Sequence, residues 1–198
     1  MADFLDYKIQ FKDRPEWSMG HYGSGFNAPP SDELDDLWED LLEAKNIRIS
    51  PEEVRSLDTN LTHKVRVNDG DYVGVIGAYH QLHCLNIIRR LIHWDYYGPR
   101  MSEEERESFL WKQHHSDHCL EVFRQSIMCH AYPSFYLGEW VADSHEFPNI
   151  ELMAQGSTKC VDWDSLDTWA RKRKLVQGHF KTKPGPYEKS ASKHQKHG

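Results

Sequence analysis

No stretch of this chain stays apolar for long. Only 38% of its 198 residues are hydrophobic, and no run approaches the ~20 apolar residues that a membrane-spanning helix needs. The opening Met-Ala-Asp-Phe-Leu-Asp has no basic region leading into an apolar one, so it does not read as a signal peptide. The chain as it stands is expected to be soluble. Basic charge is also scarce, except at one end. From Arg171 onward there are nine Lys/Arg and a single acid, Glu188, whereas the first 170 residues hold 15 basic and 30 acidic residues. So acidic a body excludes nucleic acid as the main partner. The basic end over 176–198, rich also in Gly, Pro and Ser, is expected to be a flexible tail, and His194 and His197 within it are set aside.

Cysteine is rare as well. Cys84, Cys119, Cys129 and Cys160 permit two disulfides in three connectivities, and they suit four reduced thiols equally well. Aromatic residues, by contrast, are plentiful: seven Trp, nine Tyr and eight Phe. They supply bulk for one core in a chain of this length.

The periodicity predicts a mainly α protein, a compact single-domain helical bundle with at most a small β-hairpin. Residues 1–30 read as an extended N-terminal arm, with Trp17, Tyr22 and Phe26 covering apolar surface. A helix starts at Pro30-Ser31, where Leu34, Leu37, Trp38, Leu41 and Leu42 form one stripe. Ser50-Pro51-Glu52-Glu53 gives an N-cap, a proline at the first helical position and a capping-box glutamate. Asn68-Asp69-Gly70-Asp71 is a turn between a weak strand, Thr62 to Val67, and a returning strand, Tyr72 to Ile76. Helices are expected from about Ala78 to Trp94, from the Ser102/Glu105 capping box through Cys129 to a stop at Pro133, and from Asp164 to Lys174. The body spans 31–175.

One pattern carries chemistry. His80-Gln81-Leu82-His83-Cys84-Leu85 recurs 35 residues later as His115-Ser116-Asp117-His118-Cys119-Leu120, and Arg89 and Arg124 extend the match to H-x-x-H-C-L-x-x-x-R. At 3.6 residues per turn, His80 and His83 lie about 60° apart and Cys84 about 40° from His80, so all three share a helix face. His115, His118 and Cys119 do the same. Two such helices packed about an approximate two-fold axis would gather four imidazoles, a donor set suited to Cu, Zn, Fe or Ni. Burying four histidines without a metal or a dense hydrogen-bond network would be costly. With Cys84 and Cys119 as thiolates, a His/Cys zinc site follows. With the two joined, the site becomes all-imidazole and suits copper. His114 and His130 are candidate extra ligands. His93, His145 and His179 each stand alone and read as structural or surface residues, and Arg89 and Arg124 read as members of helix-surface ion pairs.

At these residues the chain resembles the fungal UstYa-like family of mycotoxin and cyclic ribosomal peptide biosynthesis. The resemblance covers most of 30–175. It runs from the Trp38 helix and Ser50-Pro51-Glu52-Glu53 through Tyr79-His80-Gln81-Leu82-His83-Cys84-Leu85 and His118-Cys119-Leu120. It continues in Arg124-Gln125-Ser126-Ile127-Met128-Cys129-His130-Ala131 and closes on Cys160-Val161-Asp162-Trp163 with Trp169. Two departures stand out: members usually begin with a membrane-spanning segment, and an aspartate is usual where Tyr132 stands.

The resemblance implies a copper- and O2-dependent oxidoreductase, cycling Cu(I)/Cu(II) at one or two ions held by His80, His83, His115 and His118. Its substrate would be a peptide or small natural-product scaffold, undergoing oxidative macrocyclisation, dehydrogenation, hydroxylation or halogenation. Cys84 and Cys119 would be structural partners, with a Cys129–Cys160 bridge beside them, unless a reducing compartment keeps all four as thiols. The resemblance also admits a homo- or hetero-oligomer with a family homologue. It implies a place in the secretory lumen if an anchor was removed, and otherwise a soluble cytoplasmic protein. Two other classes compete: a structural zinc module, and a metal-free cyclase or dehydratase using the same histidines as acid–base groups.

Overall fold

The computed structural model describes residues 10–15, 25–57, 59–131, 135–143, 145, 147–154 and 157–186. In chain order the elements are β1 Phe11–Pro15, α1 Asp32–Leu41, β2 Ile47–Ile49, α2 Pro51–Arg55, β3 Tyr72–Gly74, α3 Gly77–Ile92 and α4 Trp94–Tyr97. A 3-10 turn at Gly98–Arg100, α5 Glu103–Arg106 and a second 3-10 turn at Phe109–Trp111 lead into α6 Gln113–Cys129. Then come β4 Tyr136–Trp140, β5 Ile150–Ala154, β6 Ser157–Val161 and α7 Trp163–Arg171. Helix dominates, as the periodicity predicts. None of these helices is long and apolar enough to cross a membrane.

Among the described residues, three two-stranded antiparallel sheets stand where at most a small hairpin is expected. Two of them, β1 with β6 and β4 with β5, have no sequence signal of the usual kind. All five residues of β4 are exposed, so there is no buried face to impose an apolar–polar alternation. The contacts sort the chain into two compact units.

One unit is built from Glu43–Tyr79 and Asp164–Gly198. Its core holds Ala44, Ile47, Val54, Val67, Tyr72, Tyr79, Ala170 and Leu175. The turn at 68–71 forms: the Val67 N–H donates to the Asp71 carbonyl at 2.8 Å, and Gly70 takes the positive φ (112°) that suits glycine. The returning strand β3, however, pairs with β2, and the expected partner contributes one bridge, Arg66 to Tyr72. Ile47 is fully buried, whereas Thr62 to Val65 are exposed, so pairing with β2 buries more apolar surface. α2 carries the expected capping box, Ser50 with Glu53. Arg173 pairs with Glu53, and the Tyr79 hydroxyl donates to Asp167 at 2.5 Å. The expected tail is tied further along than 176, since the Asn68 N–H donates to the Lys181 carbonyl and the Lys183 N–H to that of Arg66.

The other unit is built from Gln10–Leu42 and His80–Trp163. Ser31 caps α1, accepting from the Leu34 N–H at 3.2 Å, and three acids in the first turn suit the helix dipole. Of the expected stripe, Leu34 and Trp38 are buried while Leu37 is exposed. Phe26 covers Trp38 edge-on at 5.3 Å. The long helix expected from Ser102 to Cys129 is broken. Its capping box opens only the short α5, and extended backbone at Ser108 (ψ 153°) and Lys112 (ψ 146°) brackets the turn at Phe109–Trp111. Trp111 packs on Trp94 at 5.6 Å, a contact that favours the break over a continued helix. Trp17, Tyr22, Tyr132, Pro133, His194 and His197 lie outside the described residues.

Candidate metal centre

The two repeated motifs fall on α3 and α6, within one unit. α3 is fixed by α1. The Arg89 guanidinium meets Asp35 at 2.5 Å, donates to Asn86 at 3.0 Å and lies 5.5 Å from the Trp38 ring centre. The Tyr97 hydroxyl donates to the same Asp35 carboxylate at 2.9 Å. This arginine is therefore an interior anchor, against the expectation of a helix-surface pair. Arg124, its counterpart in the second motif, does make the exposed pair, to Glu121 at 2.6 Å.

Between the helices lie Cys84 and Cys119, both fully buried. Burial, and then the Cys84 thiol facing it, push the Cys119 thiol up to about 12. All four cysteines, the pairs Cys84/Cys119 and Cys129/Cys160, are unbridged in this structure. Placement accounts for the second pair: Cys129 is exposed at the end of α6, and Cys160 sits in β6 opposite Lys12. For Cys84 and Cys119 it is the bond alone that is missing, since the two side chains already face each other.

Around this sealed pair the histidines cross over. His80 faces His118 with ring centres 5.6 Å apart, His83 faces His115 at 6.4 Å, and His115 and His118 stand 6.3 Å apart. The first imidazole of each motif thus meets the second of the other. His80, His83 and His115 are half-buried and His118 is exposed. His80 Nε2 lies 4.0 Å from the Cys84 sulfur. Gln81, inside the first motif, donates to the Ser126 hydroxyl at 2.8 Å and links the helices beside the rings. Phe109 meets the His115 ring edge-on at 5.2 Å. Neither Gln81–Ser126 nor Phe109 follows from the motif's spacing. His114 and His130 are exposed and stand outside the ring pairs.

Among the described residues, no three His, Cys, Asp or Glu side chains converge on a ready-made ion site. The donor set nevertheless fits a metal. Metal–imidazole bonds of about 2.0–2.1 Å put the centres of two rings on one tetrahedral ion about 5 Å apart, near the His80–His118 separation and short of the two that involve His115.

With the two motifs set around one cluster, comparison with known proteins becomes informative. The sequence profile of the mycotoxin biosynthesis protein UstYa matches residues 8–173. The chain belongs to the UstYa family. It is 30% identical over 164 residues to the UstYa family oxidase phomYc of Diaporthe leptostromiformis, covering 79% of this chain and 62% of that protein. It is 24% identical over 173 residues to the UstYa family oxidase aprY of Aspergillus flavus, covering 80% and 50%. It is 28% identical over 158 residues to the chlorinase cctP2 of Talaromyces islandicus, covering 79% and 40%. The chain thus spans roughly half the length of these relatives. No solved structure matches it.

Proposed function

We propose that this chain is a copper-dependent oxidase that tailors a peptide or other natural-product scaffold in fungal secondary metabolism. The observation that carries the reading is the crossed set of four imidazoles from two copies of one motif, gathered over a buried cysteine pair. It is the pairing that two helices related by an approximate two-fold would give. Relatives named as oxidases and as a chlorinase support oxidative chemistry, with macrocyclisation, dehydrogenation, hydroxylation and halogenation as the reactions to test.

His80, His83, His115 and His118 are the residues to hold the metal. Copper bound there would supply one-electron redox chemistry with O2 as co-substrate. The chain's own part is orientation. The buried cysteines set how closely the helices approach, Gln81 and Ser126 resist their sliding, and the exposed His118 leaves the cluster open to a substrate on one side. A second reading, structural zinc, draws on the 4.0 Å approach of the Cys84 sulfur to His80.

Metal analysis and copper titration of the purified protein separate these readings, with the double substitution His83→Ala/His118→Ala as control. Tight copper binding that the control loses supports the oxidase, and the stoichiometry counts one ion or two. Zinc alone, resistant to exchange, supports the structural module. A protein that takes up no metal would leave acid–base chemistry at the same histidines.

A further inference from the structure

The break before α6 has a chemical consequence. In an unbroken helix the Leu110 carbonyl would accept the backbone N–H of His114. Here the 3-10 turn at Phe109–Trp111 aims that carbonyl at a side chain, and His115 Nδ1 lies 3.0 Å from the Leu110 oxygen. A carbonyl oxygen only accepts, so Nδ1 must carry the proton. A neutral imidazole protonated at Nδ1 has its lone pair on Nε2.

We propose that the turn at Phe109–Trp111 is a positioning device for His115, locking it as the Nδ1–H tautomer and presenting Nε2 as the nitrogen offered to a transition-metal ion. Two contacts to His115, and a third that holds the turn, support this. The Leu110 carbonyl fixes the tautomer, and the Phe109 ring, edge-on at 5.2 Å, fixes the plane of the imidazole. Trp111, packed on Trp94 at 5.6 Å, holds the turn that supplies both. A hydrogen bond from the non-ligating nitrogen to a carbonyl both orients an imidazole and raises the basicity of the other nitrogen. The turn that supplies it directly precedes α6, the helix of the second motif. The purpose assigned to it rests on the metal reading above, whereas its geometry does not.

The test uses the metal-free full chain. Long-range 15N–1H correlation spectra, recorded at pH 8, above the ordinary histidine range, distinguish the two neutral tautomers ring by ring, and His115→Gln identifies the signal. The expected result is a His115 ring protonated at Nδ1, which a merely space-filling histidine would have no reason to adopt. A ring protonated at Nε2 would overturn the proposal. Trp111→Ala should release the turn, shift His115 toward the Nε2–H form and weaken Cu(I) binding, measured against a competing chelator, by about 10–100-fold. A shifted tautomer with unchanged Cu(I) affinity would overturn the positioning role. Failure of the metal reading is told apart from both, as a wild-type protein with the Nδ1–H ring and no bound copper.

Discussion

α3 and α6 carry the same motif and are held in different ways. α3 buries Tyr79, Cys84, Asn86 and Ile87 and is anchored through Arg89 to Asp35 and Tyr97. α6 buries Cys119 alone and leaves Leu120, Ile127 and Met128 exposed. A repeated sequence has therefore repeated the histidine face without repeating the support. In α3 the surrounding unit fixes the helix. In α6 the fixing is left to what immediately adjoins the motif: the turn before it, the cysteine at its centre and the Gln81–Ser126 hydrogen bond.

The sharpest way to break this comparison is to remove one histidine from each helix. His83→Ala and His118→Ala should each abolish copper-dependent turnover while circular dichroism shows nearly unchanged helix content. Substantial turnover in either would mean that one helix suffices. Next in size is the arginine pair. Arg89→Ala removes the part-buried charged hydrogen bond to Asp35, which keeps Tyr97 and Arg90, and should cost about 2 kcal/mol in urea denaturation. Arg124→Ala removes an exposed pair and should leave the midpoint unmoved. Equal losses would end the distinction between the helices.

The cysteines are where the helices should behave alike. Cys84→Ser and Cys119→Ser each place a hydroxyl in a site closed to water, for about 1–3 kcal/mol. A clear difference between them would show that one side of the contact is looser. The smallest effect concerns pH. Arg124, then Gln125, draw the Glu121 carboxyl down to about 2. A depressed carboxyl stabilises the fold above its unfolded value near 4.3 and loses that contribution as pH falls through about 2. Because Glu121 is exposed, melting curves between pH 5 and pH 2 should differ between wild type and Glu121→Gln at low salt, and coincide at high salt.

What the sequence makes legible follows from where the information sits. Caps are local, so Ser31, Ser50 and Ser102 announce α1, α2 and α5 from the few residues that follow each of them. The shared histidine face of each motif is legible too, because helical spacing needs no partner to define it. Pairing is not local. β3 chose β2 over the neighbouring stretch because Ile47 offers more to bury, a preference that no turn motif encodes. The break at 107–112 was hidden for the same reason. It depends on Trp94 meeting Trp111 across 17 positions of sequence, while the capping box at Ser102 says only where a helix begins. Arg89 and Arg124 occupy equivalent places in the repeat, and nothing in the motif tells which of them faces Asp35.

The four cysteines differ greatly in what can reach them. Cys129 is exposed, Cys160 partly so, and Cys84 and Cys119 are shut away. A thiol-alkylating reagent should therefore label the native protein in a fixed order, Cys129 first, and reach the inner pair only when α3 and α6 part. The rate at which the third and fourth labels appear is then a clock for the opening of the histidine cluster, readable by mass and built into the wild-type chain.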